Sequence, residues 1–271
     1  MRRARWMSPL AVAVMVAIGC GSGRPQDASA TTDHGTPPEA PMRLAEAPAV
    51  SAPAPAAAAG SASVTGSVRF EGTAPAQEKV KMAADPVCAQ QHTEPVYLED
   101  VVVNANGTLK NVVVFVKEGL SGTFPAPATP VVLDQKGCWY VPHVFAIQVG
   151  QPLEITNSDA TLHNINAKPA ENPPFNIAQP NAGGKSTKRF IKPEVGVPFK
   201  CNVHPWMHAM AVVTEHPFFS VSGEEGSFSI KGLPAGTYVL EAWHEKYGTQ
   251  IQTVTLADGE AKSIEWTFKV Q

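Results

Sequence analysis

Cys201, His204 and Met207 fall within seven residues of one another in Lys200-Cys201-Asn202-Val203-His204-Pro205-Trp206-Met207-His208, and His163 stands 38 residues upstream in Thr161-Leu162-His163-Asn164-Ile165. A thiolate, two imidazoles and a thioether make the donor set of a mononuclear type 1 (blue) copper site. Each donor has a reason. The soft thiolate stabilises Cu(I) and couples strongly to Cu(II), imidazole serves both oxidation states, and a weak axial thioether tunes the potential. One copper ion per chain is therefore expected on His163, Cys201, His204 and Met207, with Met210 as the other candidate for the axial position. Zinc can take one Cys and two His, but a methionine donor points to copper. The ligand loop lacks the second cysteine of a binuclear copper centre, and the sequence lacks Cys-X-X-Cys-His for a c-type haem.

The remaining cysteines divide by elimination. The sequence has four: Cys20 ends an N-terminal apolar run, Cys201 belongs to the metal motif, and Cys88 and Cys138 are an even pair expected to form a disulfide in an oxidising compartment. A competing reading makes Cys88 and His92 metal ligands. His143, His208 and His244 are read as surface or hydrogen-bonded core histidines rather than as a second metal site. His34 and His216 receive no role.

Short strands must position these groups. Apolar and polar residues alternate strictly in Ile264-Glu265-Trp266-Thr267-Phe268-Lys269-Val270, the pattern of a strand with one face on a core. Further strands are expected at 64–70, 98–103, 109–117, 143–149, 152–157, 187–191, 210–214, 227–230, 238–243 and 251–256, separated by turn signals such as Asn106-Gly107 and Pro234-Ala235-Gly236. No stretch shows a helical period. The class is all-β, with β-sandwiches as the architecture.

The segments divide as a leader at 1–20, an Ala/Pro-rich tether at 21–61, a β segment at 62–124, a metal domain at 125–216 and a small β-domain at 217–271. The last is too short to bury a core of its own. The strands of 62–124 either complete it or extend the metal domain; the sequence leaves both open. Arg2, Arg3 and Arg5 precede an apolar run ending at Cys20, the layout of an export signal and too short to span a membrane as a helix. The tether has almost no large apolar residues and is expected to be disordered. A formal net charge of −3 provides no basic field for nucleic acid.

Three resemblances follow from these residues. Val16-Ala17-Ile18-Gly19-Cys20 resembles a bacterial lipobox, which implies lipidation of Cys20 and anchorage in the cell envelope, facing the periplasm or the cell surface; Gly21 after the cysteine favours the outer membrane. The His163-Asn164 pair and the Cys201–Met207 loop, with Gly150 and the 152–157 strand, resemble the cupredoxin (blue copper) family of the amicyanin and plastocyanin type over about 140–215. That implies a Greek-key β-sandwich, copper on His163, Cys201, His204 and Met207, and Asn164 holding the thiolate through its backbone amide. Gly226–Tyr238 resembles the carboxypeptidase regulatory-like domain, a transthyretin-like β-sandwich that is not catalytic. Together they imply a membrane-anchored carrier of single electrons between redox proteins, not an enzyme, using the His204 edge within an apolar rim of Pro205, Trp206 and Met207. Copper storage or delivery, or surface adhesion with a structural copper, are the other readings.

Overall fold

A computed structural model describes residues 60–270. The expected leader, Cys20 and nearly all of the tether lie outside the described residues. Sixteen strands follow in order: β1 (Ala62–Glu71), β2 (Val113–Glu118), β3 (Val131–Gln135), β4 (Tyr140–Val141), β5 (Val144–Gln148), β6 (Leu153–Asn157), β7 (His163–Ala167), β8 (Phe175–Gln179), β9 (Gly184–Lys188), β10 (Glu194–Lys200), β11 (His208–Thr214), β12 (Phe219–Val221), β13 (Ser227–Leu233), β14 (Gly236–His244), β15 (Gly248–Leu256) and β16 (Ala261–Lys269). The fold is all-β. One helical turn, α1 (Pro86–Ala89), is capped by Asp85, whose side chain accepts from the N–H groups of Val87 and Cys88.

The strands form two sandwiches. In the first, the sheet β13-β1-β16 and the sheet β12-β2-β14-β15 share a core that includes Val64, Leu109, Phe228, Leu240, Trp266 and Phe268. The alternation in β16 works as its pattern requires, burying Trp266 and Phe268. β1 runs parallel to β16 and antiparallel to β13, so the chain's early and late strands build one sheet. In the second sandwich, the sheet β5-β11-β10-β7-β8 and the sheet β4-β3-β6-β9 enclose Leu133, Tyr140, Phe145, Ile155, Ile165 and Phe199.

A third apolar layer joins the two. Val113 and Phe115 of β2 and Trp243 of β14 pack with Val144 and Ala146 of β5 and Val212 of β11. Strand alternation makes this possible, because β11 sends Ala209, Ala211 and Val213 into the second core and Val212 the other way.

The residues 62–124 are shared between the cores. β1 and β2 belong to the first, while Met82 and Cys88 are buried in the second. The strand expected at 98–103 is absent. Its backbone is held by separate contacts, Leu98 N–H to Glu78 O and Lys110 N–H to Val102 O, which make it a strap rather than a ladder. Five strands, β12 to β16, follow residue 217.

Candidate metal centre

β10 ends at Lys200 and β11 begins at His208, and the two pair antiparallel through Lys200 and His208. The loop between them is closed by Cys201 N–H to Met207 O at 3.0 Å and Met207 N–H to His204 O at 2.9 Å. These bonds fold His204 back over Cys201. β7 lies on the other side of β10, pairing Asn166 with Lys200, so its first residue, His163, reaches the same end of the sheet. Asn164 joins the two segments, its Oδ1 accepting from Asn202 N–H at 2.7 Å.

Three donors converge. Nδ1 of His163 lies 3.0 Å from Nδ1 of His204, and Sγ of Cys201 lies 3.8 Å from the latter. His163, Cys201 and His204 are exposed by 0, 4 and 2 %, so the site is sealed.

The far side of each imidazole faces a carboxylate. His163 Nε2 is 2.9 Å from Asp159 Oδ2, and His204 Nε2 is 2.9 Å from Asp85 Oδ2. A carboxylate on Nε2 fixes the tautomer with the proton there, and turns the Nδ1 lone pairs of both rings towards one another and towards sulfur. Burial pushes the Cys201 thiol up, but the hydrogen bond with His163 and the N–H groups of Asn164, His204 and Val203 outweigh it and bring the thiol down to about 6. Burial pulls His163 down, yet its bonds to Asp159 and Cys201 prevail and raise it to about 9. Two carboxylates and a thiolate around two imidazoles suit a cation, and the donor set suits copper.

Asp159 also ties the site to its surroundings. Its carboxylate accepts from Gly137 N–H and Cys138 N–H, each at 2.8 Å, at a turn where both residues have positive φ. Cys138 forms a disulfide with Cys88, Cα to Cα 5.6 Å. Cys88 Sγ in turn lies 3.5 Å from His204 Nε2. His92 is not its co-ligand: its Nε2 bonds Gly137 O at 2.7 Å.

Met207 is fully buried in the core that contains Cys201, whereas Met210 packs in the layer between the sandwiches. Their positions differ because Met210 sits within β11, on the face turned away from Cys201. Of the expected rim, Pro205 is exposed and Trp206 half-buried. His204 and Met207 are buried, and the Trp206 indole N–H donates to Cys138 O at 3.1 Å. The segment 82–90 covers the imidazole edge, and outside it lies a groove of about 740 Å³ lined by Lys79, Val80, Asp85, Val203, Pro205 and Trp206 among others.

Asp85 and Asp159 were not among the candidates from sequence. Asp159 had a faint signal in the Asn157-Ser158-Asp159 turn before His163; Asp85 had none. His143 and His208, assigned no shared role above, meet edge to face with centroids 5.0 Å apart, beside Asp100 and Glu245. His244 is buried and stacked on Tyr247, with Nδ1 accepting from Lys246 N–H.

No family model matches this chain, and no curated protein matches it. Among solved structures, a Cu-containing nitrite reductase from Thermus scotoductus is 25% identical over 37% of this chain and 25% of its own, with a TM-score of 0.30. A mutant of amicyanin in the Cu(I) state is 19% identical over 31% of this chain and 81% of its own, at 0.28. A purple cupredoxin from Nitrosopumilus maritimus is 23% identical over 31% and 98%, at 0.27. The chain thus spans a quarter of the nitrite reductase's length, and TM-scores this low carry no functional argument.

Proposed function

We propose that this chain is a cupredoxin-type electron carrier, exported and held to the cell envelope by lipid on Cys20, with one type 1 copper on His163, Cys201, His204 and Met207. The observation that supports it most is the convergence of two Nδ1 atoms and one thiolate in a site exposed by no more than 4 %. Copper in such a donor set supplies one-electron exchange between Cu(II) and Cu(I).

The chain's own residues do the rest. Asp159 and Asp85 orient the imidazoles, and the Asn164, Val203 and His204 amides hold the thiolate. The loop bonds and the disulfide keep these groups in place in either oxidation state. Burial of all three donors favours retention of the ion, and hence electron carriage over storage or delivery. With the His204 edge covered by Asp85 and the 82–90 segment, a redox protein docks in the groove outside them, whose lining includes Pro205 and Trp206. The C-terminal sandwich, which resembles carboxypeptidase regulatory-like domains, is a support and not an enzyme.

Titration of the purified protein with Cu(II) tests the reading. One equivalent is expected to give intense visible charge-transfer absorption, lost in Cys201→Ser, and a full cycle of reduction and reoxidation without release of copper. Release on reduction would favour delivery, and a wild-type spectrum in Cys201→Ser would overturn the assignment. Membrane fractionation of the full chain against Cys20→Ala tests the anchor, since more than one acyl chain is needed for stable attachment.

A further inference from the structure

A second group of metal donors lies between the two sandwiches. His143 directly precedes β5, His208 opens β11, Asp100 sits on the strap after Leu98, and Glu245 is in the turn after β14. One donor atom from each falls within 4.8 Å of all the others. β5 and β11 are parallel neighbours, and Met210 N–H donates to His143 O, which brings the two histidines to the same end of the sheet. The other two groups come from elements that pack against that end.

The imidazoles are arranged as ligands. His143 Nδ1 meets His208 O at 3.2 Å and His208 Nδ1 meets Trp206 O at 3.0 Å. A carbonyl can only accept, so both Nδ1 atoms carry hydrogen. In the neutral rings both Nε2 atoms then present lone pairs, the state that a backbone carbonyl imposes on a metal-bound histidine. Yet each Nε2 faces an acceptor: Glu245 Oε1 for His143 and Asp100 Oδ1, at 2.5 Å, for His208. Lone pair against carboxylate is unfavourable unless a positive charge lies between them. Lys246 offsets part of the charge at 2.8 Å from the other oxygen of Asp100, but no lysine or arginine pairs with Glu245 among the described residues, although its side chain is only 8 % exposed.

We propose that His143, His208, Asp100 and Glu245 form a second metal site that binds a zinc-like divalent ion independently of Cys201. Two imidazole nitrogens and two carboxylate oxygens, with bonds of about 2 Å, make a closed four-coordinate set. Donors already this close need only small shifts of the carboxylates to surround one ion. Copper(II) competes for such nitrogen and oxygen donors, but the absence of sulfur sets the site apart from the Cys201 centre. With Glu245 from one sandwich and both histidines from the other, the ion cross-links them where Trp243 and Val144 already pack.

The test counts zinc in the exported protein carrying His163→Ala and Cys201→Ser, which removes the first centre. About one equivalent of Zn²⁺ should survive gel filtration, with a zinc X-ray absorption spectrum showing imidazole and no sulfur. Adding Glu245→Gln or, on the more exposed strap, Asp100→Asn should weaken binding about tenfold or more. In the intact protein, zinc bound beyond the Cys201 site should have the same sulfur-free spectrum, which guards against misfolding of the variant. Absence of such zinc from the intact protein, or zinc binding indifferent to both added substitutions, would overturn the proposal and leave the four groups an imidazolium–carboxylate cluster.

Discussion

Asp85 Oδ2 lies 2.9 Å from Nε2 of His204, although 119 residues separate them in the chain. The same carboxylate, through Oδ1, caps α1 by accepting from Val87 N–H at 2.9 Å. One side chain therefore anchors the covering segment and orients a candidate ligand. The hydrogen bond with His204 is also the main reason Asp85 sits below the usual carboxylate range.

Asp85→Asn keeps a hydrogen-bonding cap but removes the charge. Copper affinity should fall about tenfold, within the range for partners of metal-bound histidines, and the reduction potential should rise because the missing charge stabilised Cu(II). Asp85→Ala should add about 1 kcal/mol of destabilisation from the lost cap. Potentiometric titration and chemical denaturation separate the two effects, and an unchanged potential in Asp85→Asn would contradict the role.

Removing the disulfide should release the cover. The bridge closes a loop of 50 residues, for which chain entropy gives a stabilisation of about 4 kcal/mol. Cys88→Ala with Cys138→Ala should lower the urea midpoint accordingly. It should also speed electron exchange with small redox reagents, because the segment over His204 is no longer tethered. Stopped-flow reduction measures the latter.

The two methionines should behave differently. Met207→Leu should keep a coloured site and raise its potential, while Met210→Leu should leave both unchanged. Met207→Ala, which empties a fully buried position, should cost about 2–5 kcal/mol. Spectra and midpoints of the three variants decide it.

His216 should make stability depend on pH. Its Nε2–H donates to Val116 O at 2.7 Å and its Nδ1 accepts from Phe218 N–H at 3.2 Å, so only the neutral ring satisfies both. Burial accordingly lowers its pKa from the ordinary value of 6.5. With the folded value depressed, the contribution is present above 6.5 and is lost as pH falls through the folded pKa. His216→Gln should therefore cost about 1–2 kcal/mol near neutrality, and the gap from wild type should narrow as pH falls below 6.5. Denaturation of both proteins across that range is the measurement.

Much of this was legible in the sequence because the signals are local. The His163-Asn164 pair and the Cys201–His204–Met207 spacing name a donor set, since a tight loop can return only residues a few positions apart. Alternation named β16 and the all-β class. Other features required the tertiary structure. Met207 and Met210 are separated by the fold, which holds Met207 in the loop that closes on Cys201 and turns Met210, within β11, to the opposite face. Whether β1 joins the late strands depends on pairing with β13 and β16, some 160 and 200 residues away, and no local pattern encodes a partner at that distance. The strap at 98–103 reads as a strand because Val101, Val102 and Val103 form a β-branched run, but a ladder needs a continuous neighbour and the fold provides only separate bonds. Asp85 over His204, and Asp100 and Glu245 beside His143 and His208, are single residues in unremarkable contexts. Their roles come from where three distant segments close on the ends of β5, β10 and β11, and contacts between such segments depend on the packing of the whole chain.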